Sequence, residues 1–212
     1  MTAGRPLQNR VDPFGELVAT SARGALMGNR GGKLHQPDRK LGARRWASRQ
    51  WIACVCSFKN RRRDVWGAGY TELFFLDEPT ALAAGHRPCF ECRRRDAANF
   101  QEAFGRGERL RAPAMDAILH RERLAGRAKR TSDQPVEQLP DGAMIVEQDR
   151  ALLVRGDALW PWSFQGYGAP LKRPARGAVV VLTPPSILRA LAAGYEPRWA
   201  EAMPAPGTIS PT

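Results

Sequence analysis

Cys89 and Cys92, spaced as C-x-x-C in Pro88-Cys-Phe-Glu-Cys-Arg93, are the residues of this chain best suited to chemistry. Two sulfurs three positions apart where a helix opens can face one cation, which is half of a tetrahedral zinc site. Unpaired amide N–H groups at such a turn also favour thiolate over thiol. The other half has several candidates. Cys54 and Cys56 lie in Trp51-Ile-Ala-Cys-Val-Cys-Ser-Phe58, which alternates as a strand and puts both on one face with Ile52 and Phe58. That apolar company favours core packing, although either sulfur could ligate if the strand lies beside the C-x-x-C turn. His35, in Gly-Lys-Leu-His, could reach in from the N-terminal region, and His120 is the remaining candidate.

The frame around the pair follows from local physics. Leu73, Phe74, Phe75 and Leu76 form an apolar run suited to a buried strand. Asp77 stands where an N-cap belongs, and Pro79 suits a first helical turn whose amides lack partners anyway. Ala81 to Ala84 carry the helix, Gly85 can end it in the left-handed conformation, and Pro88 prevents its resumption. A second copy of this layout runs from Leu182 to Pro197, with Thr183 as the capping residue, no cysteines and an insertion of nearly one helical turn. It reads as repeated use of one strand-to-capped-helix chemistry.

The stretch from Thr71 to Asp96 resembles the second half of the zinc-binding module of the Ada DNA-alkylation-repair family. Phe74, Phe75, Ala83, Ala84, Gly85, Arg87, Pro88, Cys89, Cys92 and Arg93 match its pattern as they stand. The resemblance implies zinc as cofactor and Cys89 and Cys92 as ligands. It does not extend to methyl-acceptor chemistry, because Asn60 to Glu72, where the first cysteine pair would lie, holds no cysteine or histidine. Along its whole length the chain also resembles a bacterial protein family that implies no activity.

A rival reading joins H-x-E, His120 and Glu122, to P-C-x-x-C. This set resembles the ligands and acid/base of the zinc-dependent nucleobase deaminases, with Glu122 as the proton shuttle. The order is reversed here. Residues i and i+2 of a helix also point about 200° apart, so a mid-helix His120 argues against the pair sharing a site.

Charge supplies the expected partner. The chain has 212 residues, with 33 basic against 21 acidic, a formal charge of +12. Its arginines cluster as Arg44, Arg45 and Arg49; as Arg61, Arg62 and Arg63; as Arg93, Arg94 and Arg95; and as Arg127, Lys129 and Arg130. Guanidinium forks match phosphate, so nucleic acid is the expected partner, with Arg61–Arg63 and Arg93–Arg95 as contacts. The alternative source of these arginines is a composition biased towards Ala, Arg, Gly and Pro. Trp160, Trp162, Phe164 and Tyr167 form either a base-stacking surface or a hairpin folding its aromatics over the core.

The expected fold is α+β, a treble-clef-like or degenerate zinc module with short strands and helices, plus a small β-containing C-terminal part. Four regions are expected: a Gly/Arg-rich segment 1–48 containing a short strand at Glu16 to Thr20 and a flexible turn at Gly28 to Gly32, an α+β module 49–128 with the C-x-x-C, an α+β region 129–200 with strands at Met144 to Glu147, Leu152 to Arg155 and Val179 to Leu182, and a loosely ordered tail 201–212. No apolar run reaches membrane-spanning length, the N-terminus resembles no signal or transit peptide, and a cytoplasmic setting is expected. The leading function is a zinc-stabilised nucleic-acid-binding protein. The alternatives are a metal-dependent enzyme acting on a nucleobase or nucleic acid, and a metal-free structural or interaction protein.

Overall fold

Strand pairing joins the N-terminal segment to the cysteine-bearing middle of the chain in the computed structural model, which describes residues 5–60, 62 and 64–200. The strands β1 (Gln8–Val11), β2 (Leu17–Ala19), β3 (Leu26–Asn29), β4 (Ile52–Val55), β5 (Leu73–Phe75) and β6 (Arg87–Pro88) form one mixed sheet in the order β2-β1-β5-β3-β4-β6. β1 pairs β5 and β4 pairs β6 in parallel, while the other neighbours are antiparallel. The expected strand near Glu16 to Thr20 is β2. The expected flexible turn at Gly28 to Gly32 starts later: Gly28 sits inside β3, opposite Ala53, and the chain bends at Arg30 to Gly32, where Gly31 takes φ +82°. A Cβ there would stand 2.2 Å from the Ile52 carbonyl oxygen and 2.7 Å from the Phe75 ring, so this glycine allows close packing within the sheet.

Helix α1 (Glu78–Ala83) is short and wholly buried, and three apolar clusters meet on it. Ala81 and Ala84 pack with Val11, Leu26 and Phe75 of the first sheet. Leu82 joins Phe100, Met115 and Ile187 from the helices α2 (Arg94–Gly105), α3 (Ala112–Arg123) and α4 (Pro185–Ala192). Ala83 packs with Met144 and Leu153 of the second sheet and with Leu182, which follows its strand Ala178–Val181. An isolated six-residue helix is far below the length that is stable in water, so this one depends on its caps and its packing. Asp77 Oδ1 accepts from the Thr80 amide at 3.0 Å, as its sequence position requires. At the other end Gly85 adopts φ +85°, and the bonds Gly85 N–H to Leu82 O and His86 N–H to Ala81 O close the last turn.

The second copy of this layout closes the same way. Gly194 has φ +95°, and Tyr195 N–H donates to Ala190 O. Its start differs from expectation: the Thr183 hydroxyl takes the Met144 amide instead of capping α4. The cap comes from α3, whose Glu122 carboxylate accepts from the Ser186 amide at 2.9 Å and its hydroxyl at 2.6 Å.

Between α3 and the second sheet lies a small hairpin of β7 (Leu124–Ala125) and β8 (Ala128–Lys129). The second sheet contains β9 (Ser132–Pro135), β10 (Met144–Glu147), β11 (Arg150–Arg155), β12 (Ala158–Ser163), β13 (Gly166–Tyr167), β14 (Leu171–Lys172) and β15 (Ala178–Val181). Its order is β13-β12-β11-β10-β15-β9, with β14 also on β12, and every pair is antiparallel. The fold is therefore α+β, mostly sheet with few helices. The aromatic stretch is the hairpin β12–β13 rather than a stacking surface. None of Trp160, Trp162, Phe164 and Tyr167 is exposed. Trp162 Nε1–H donates to Thr80 Oγ1 and Tyr167 O–H to Asp77 Oδ2, each at 2.9 Å, which fastens this sheet to the start of α1. The tail 201–212 lies outside the described residues.

That fastening has a pH signature. Burial pushes Asp77 up to about 6, against hydrogen bonds from Thr80 and Tyr167 that favour the carboxylate. Burial likewise raises Asp12 to about 6. A carboxyl whose folded pKa exceeds its ordinary 3.8 stabilises the fold below that value, and the contribution is lost as pH rises through 6. Asp77→Asn keeps an acceptor at the cap and removes one proton-linked group. It is expected to flatten the fall in stability between pH values of about 4 and 6, read from urea midpoints; a wild-type slope in the variant would contradict the assignment.

Candidate metal centre

Parallel pairing of β4 with β6 is what builds the cysteine site. Ala53 is the partner of Pro88 in that ladder, and Cys89 N–H donates to Ala53 O at 3.0 Å, so Cys54 and Cys89 are the next residues along two hydrogen-bonded strands. The chain then turns at once: Arg93 N–H bonds back to Cys89 O at 3.0 Å and α2 begins at Arg94, which folds Cys92 towards Cys89. The Sγ atoms of Cys54, Cys89 and Cys92 all lie within 4.8 Å of one another. Sulfurs on a tetrahedral zinc with bonds near 2.3 Å would be about 3.8 Å apart, so the trio matches one cation after a small contraction.

The surroundings suit soft coordination. Met27 stands opposite Cys54 in the β3–β4 pair and joins Cys54 and Cys89 in one buried cluster, flanked by Ile52, Tyr70, Phe74 and Cys92. Thiolate sulfur in an apolar shell selects zinc and other borderline or soft cations over magnesium or calcium. Within the trio, a hydrogen bond from Cys54 pulls Cys89 down to about 5, aided by the backbone N–H groups of Cys92 and Glu91 and opposed by burial. Facing that sulfur and being buried push Cys54 up, and burial raises Cys92. The site thus gathers negative charge at Cys89, with two thiols turned to it, in the place where a cation would replace their protons.

The other candidates lie elsewhere. β4 ends at Val55, and the Cys56 thiol turns out to donate to Ala25 O at 3.4 Å. The alternation that put Cys54 and Cys56 on one face stops one residue too early for Cys56 to follow. His35 is a buried structural residue whose ring nitrogens contact Thr71 Oγ1 at 2.8 Å and Gly67 O at 3.0 Å, with its ring stacked on Trp66. His120 meets Trp46 edge-on, and its Nδ1 lies 3.0 Å from Arg123 Nη2. Glu122 is the cap of α4 already described. His120 and Glu122 therefore do not assemble with the cysteines among the described residues.

The arginines divide sharply. Arg93 is buried and cannot reach a phosphate, a correction to its expected role: its guanidinium bonds Glu78 at 2.5 Å and Asp96 at 2.8 Å. Arg62, Arg94 and Arg95 are exposed, and Arg61 and Arg63 lie outside the described residues. Arg95 borders an open groove of about 860 Å³ whose lining also includes Asp96, Glu102 and Glu196, so the field there is mixed. The clusters around Arg45 and Lys129 instead come together: Arg127 donates to Ala43 O and Arg123 to Arg49 O, each at 2.8 Å, and Arg44, Arg49, Arg127 and Arg130 are exposed.

Sequence reasoning missed two buried ion pairs that hold this corner. Arg87 Nε and Nη2 form a fork on the Asp116 carboxylate, both bonds at 2.8 Å, and so tie β6 to α3. Glu78 takes Arg93, the Tyr195 hydroxyl at 2.7 Å and the Arg198 amide at 2.9 Å, and so ties α1 to the C-x-x-C turn and to the segment after α4. A signal was present in the second case, since Glu78 and Tyr195 occupy the two copies of the repeated layout. Compared with protein-family models, curated proteins and solved structures, the chain matches none.

Proposed function

We propose that this chain is a zinc-stabilised nucleic-acid-binding protein. The observation that carries the reading is the convergence of Cys54, Cys89 and Cys92, drawn from β4, the residue after β6 and the turn before α2. A zinc ion there would cross-link β4 to the start of α2, a structural role. The succession of the β3–β4 pair, the cysteine turn and α2 supports a treble-clef-like module, as does the resemblance of Thr71 to Asp96 to the Ada segment. The metal would hold a scaffold, and the exposed arginines would meet phosphate.

The binding face on this reading is the rim formed by Arg44, Arg49, Arg127 and Arg130, where two clusters distant in sequence adjoin. Affinity for nucleic acid is expected to fall about a thousandfold between roughly 50 and 200 mM salt if ~6 phosphates are neutralised. Reversing these four arginines to glutamate should weaken binding more than reversing Arg94 and Arg95, whose surroundings are mixed in charge. Fluorescence anisotropy with single- and double-stranded DNA and RNA measures both. No binding to any of them at low salt would remove nucleic acid as the partner and leave the metal centre standing.

A further inference from the structure

Arg30, Arg87, Arg93 and Arg123 are each 2% exposed or less. Burying a guanidinium is costly unless a carboxylate accompanies it, and Arg87 and Arg93 have theirs. Arg30 and Arg123 do not. Among the described residues no carboxylate lies within 4.0 Å of either group. Arg30 donates to Gly15 O at 2.7 Å, His86 Nε2 at 3.3 Å and Arg45 O at 3.4 Å. Arg123 contacts Arg49 O at 2.8 Å, Gly85 O at 2.9 Å and His120 Nδ1 at 3.0 Å. All these partners are neutral, and the buried Nε–H of Arg123 has no acceptor among the described residues.

The two guanidinium groups converge on one ring. Their central carbons lie 4.0 and 3.8 Å from the Trp51 ring centroid. Lys129, whose ammonium donates to Ala83 O, completes a group of three cations. Burial, with repulsion from Arg45, pulls Arg30 down to about 9; burial, with repulsion from Arg30 and Arg87, does the same to Arg123; and burial beside both guanidinium groups pulls Lys129 down to about 7. The acids in range, none at ion-pair distance, are Asp12 and Glu16 for Arg30, Asp116 for Arg123 and Asp12 for Lys129, and Glu16 is exposed at the mouth. A narrow cleft of about 30 Å³ opens over this group, lined by Arg30, Arg45, Trp46, Arg123, Arg127 and Lys129 with Glu16 on one wall, so an anion larger than water enters only as the arginine side chains at its rim give way.

We propose that this cleft binds a phosphoryl group, with Arg30, Arg123 and Lys129 as donors at its base and Arg45 and Arg127 at its rim. A dianion would supply counter-charge at ion-pair distance, which the three cations lack among the described residues. Guanidinium forks and a lysine ammonium are the donors that phosphate oxygens take best, and Trp46 offers an aromatic face beside them. The same chemistry could come from orthophosphate, a mononucleotide or the terminal phosphate of a nucleic acid. The site builds on the basic rim proposed above as a nucleic-acid face, yet it stands separately, because orthophosphate alone is a sufficient ligand.

Thermal unfolding of the full chain tests it with orthophosphate against chloride at equal ionic strength. Phosphate at about a hundred times its Kd should raise Tm by roughly 5–10 °C. Lys129→Met should weaken affinity about tenfold or more, which at the same phosphate concentration cuts that rise to about half or less. Arg127→Ala, at an exposed rim position, is the second variant should Lys129→Met fail to fold, and it too should reduce the response. Oligonucleotides with and without a 5′-phosphate distinguish the sources. Preference for the phosphorylated strand places the terminal phosphate in the cleft, whereas stabilisation by orthophosphate or a mononucleotide with no such preference makes the ligand a free small anion; both support the site. No rise with millimolar phosphate, or an equal rise in wild type and both variants, would overturn the proposal whatever the chain does with unphosphorylated nucleic acid.

Discussion

Cys54→Ser, Cys89→Ser and Cys92→Ser are each expected to release the bound metal and to lower Tm by more than about 10 °C. Structural zinc contributes on the order of 10 kcal/mol in small finger modules. Here α1 and the second sheet have their own apolar clusters, so part of the fold survives, and the loss falls on the corner made by β4, β6 and the start of α2. Losing even ~4 kcal/mol of that contribution gives the stated shift in a chain of this size. Cys56→Ser is the internal control. It lies at the surface with its thiol on Ala25 O, and its replacement should change stability by no more than about 0.5 kcal/mol. Equal behaviour of Cys54→Ser and Cys56→Ser, by metal analysis and calorimetry together, would contradict a site that includes Cys54.

Glu78→Ala is the second large effect. Its carboxylate, with no exposed surface, holds Arg93, Tyr195 and the Arg198 amide at once. Removing one partner of a buried ion pair costs about 3–5 kcal/mol because the other charge is left without compensation. Arg93 keeps Asp96 at 2.8 Å, which places the expected loss near ~3 kcal/mol. The double variant Glu78→Ala/Arg93→Met should recover much of it, since no buried charge then stands alone. Chemical unfolding of the three proteins measures this; a double variant as unstable as the sum of the two single ones would show that packing, not charge, governs the site.

The parts of this molecule that were legible in its sequence are those set by neighbours along the chain. The apolar run at Leu73, the cap at Asp77 and the left-handed Gly85 stand where their residue types require, as does β10 at Met144–Glu147. What was not legible depends on pairing between distant segments. Cys54 looked like core because its strand is apolar, and only the parallel ladder to β6, more than thirty residues on, makes it a neighbour of Cys89. The start of the expected turn at Gly28 to Gly32 belongs to β3, because the sequence does not show the Ile52 carbonyl against Gly28. Arg93, Arg94 and Arg95 looked like one basic cluster, yet the first turn of α2 sends Arg93 inwards to Glu78 and leaves the other two exposed. Arg30 and Arg123 drew no notice at all, since nothing in sequence marks an arginine that is buried without an acid.

X-ray absorption at the zinc edge of the purified 212-residue chain tests the central claim most directly, because it counts sulfur ligands without altering any residue. About one zinc per chain with at least three sulfur neighbours near ~2.3 Å is the result expected for Cys54, Cys89 and Cys92 on one ion. Protein that carries no metal after purification without chelators and takes up none on addition of zinc, or zinc bound through nitrogen and oxygen alone, would contradict it.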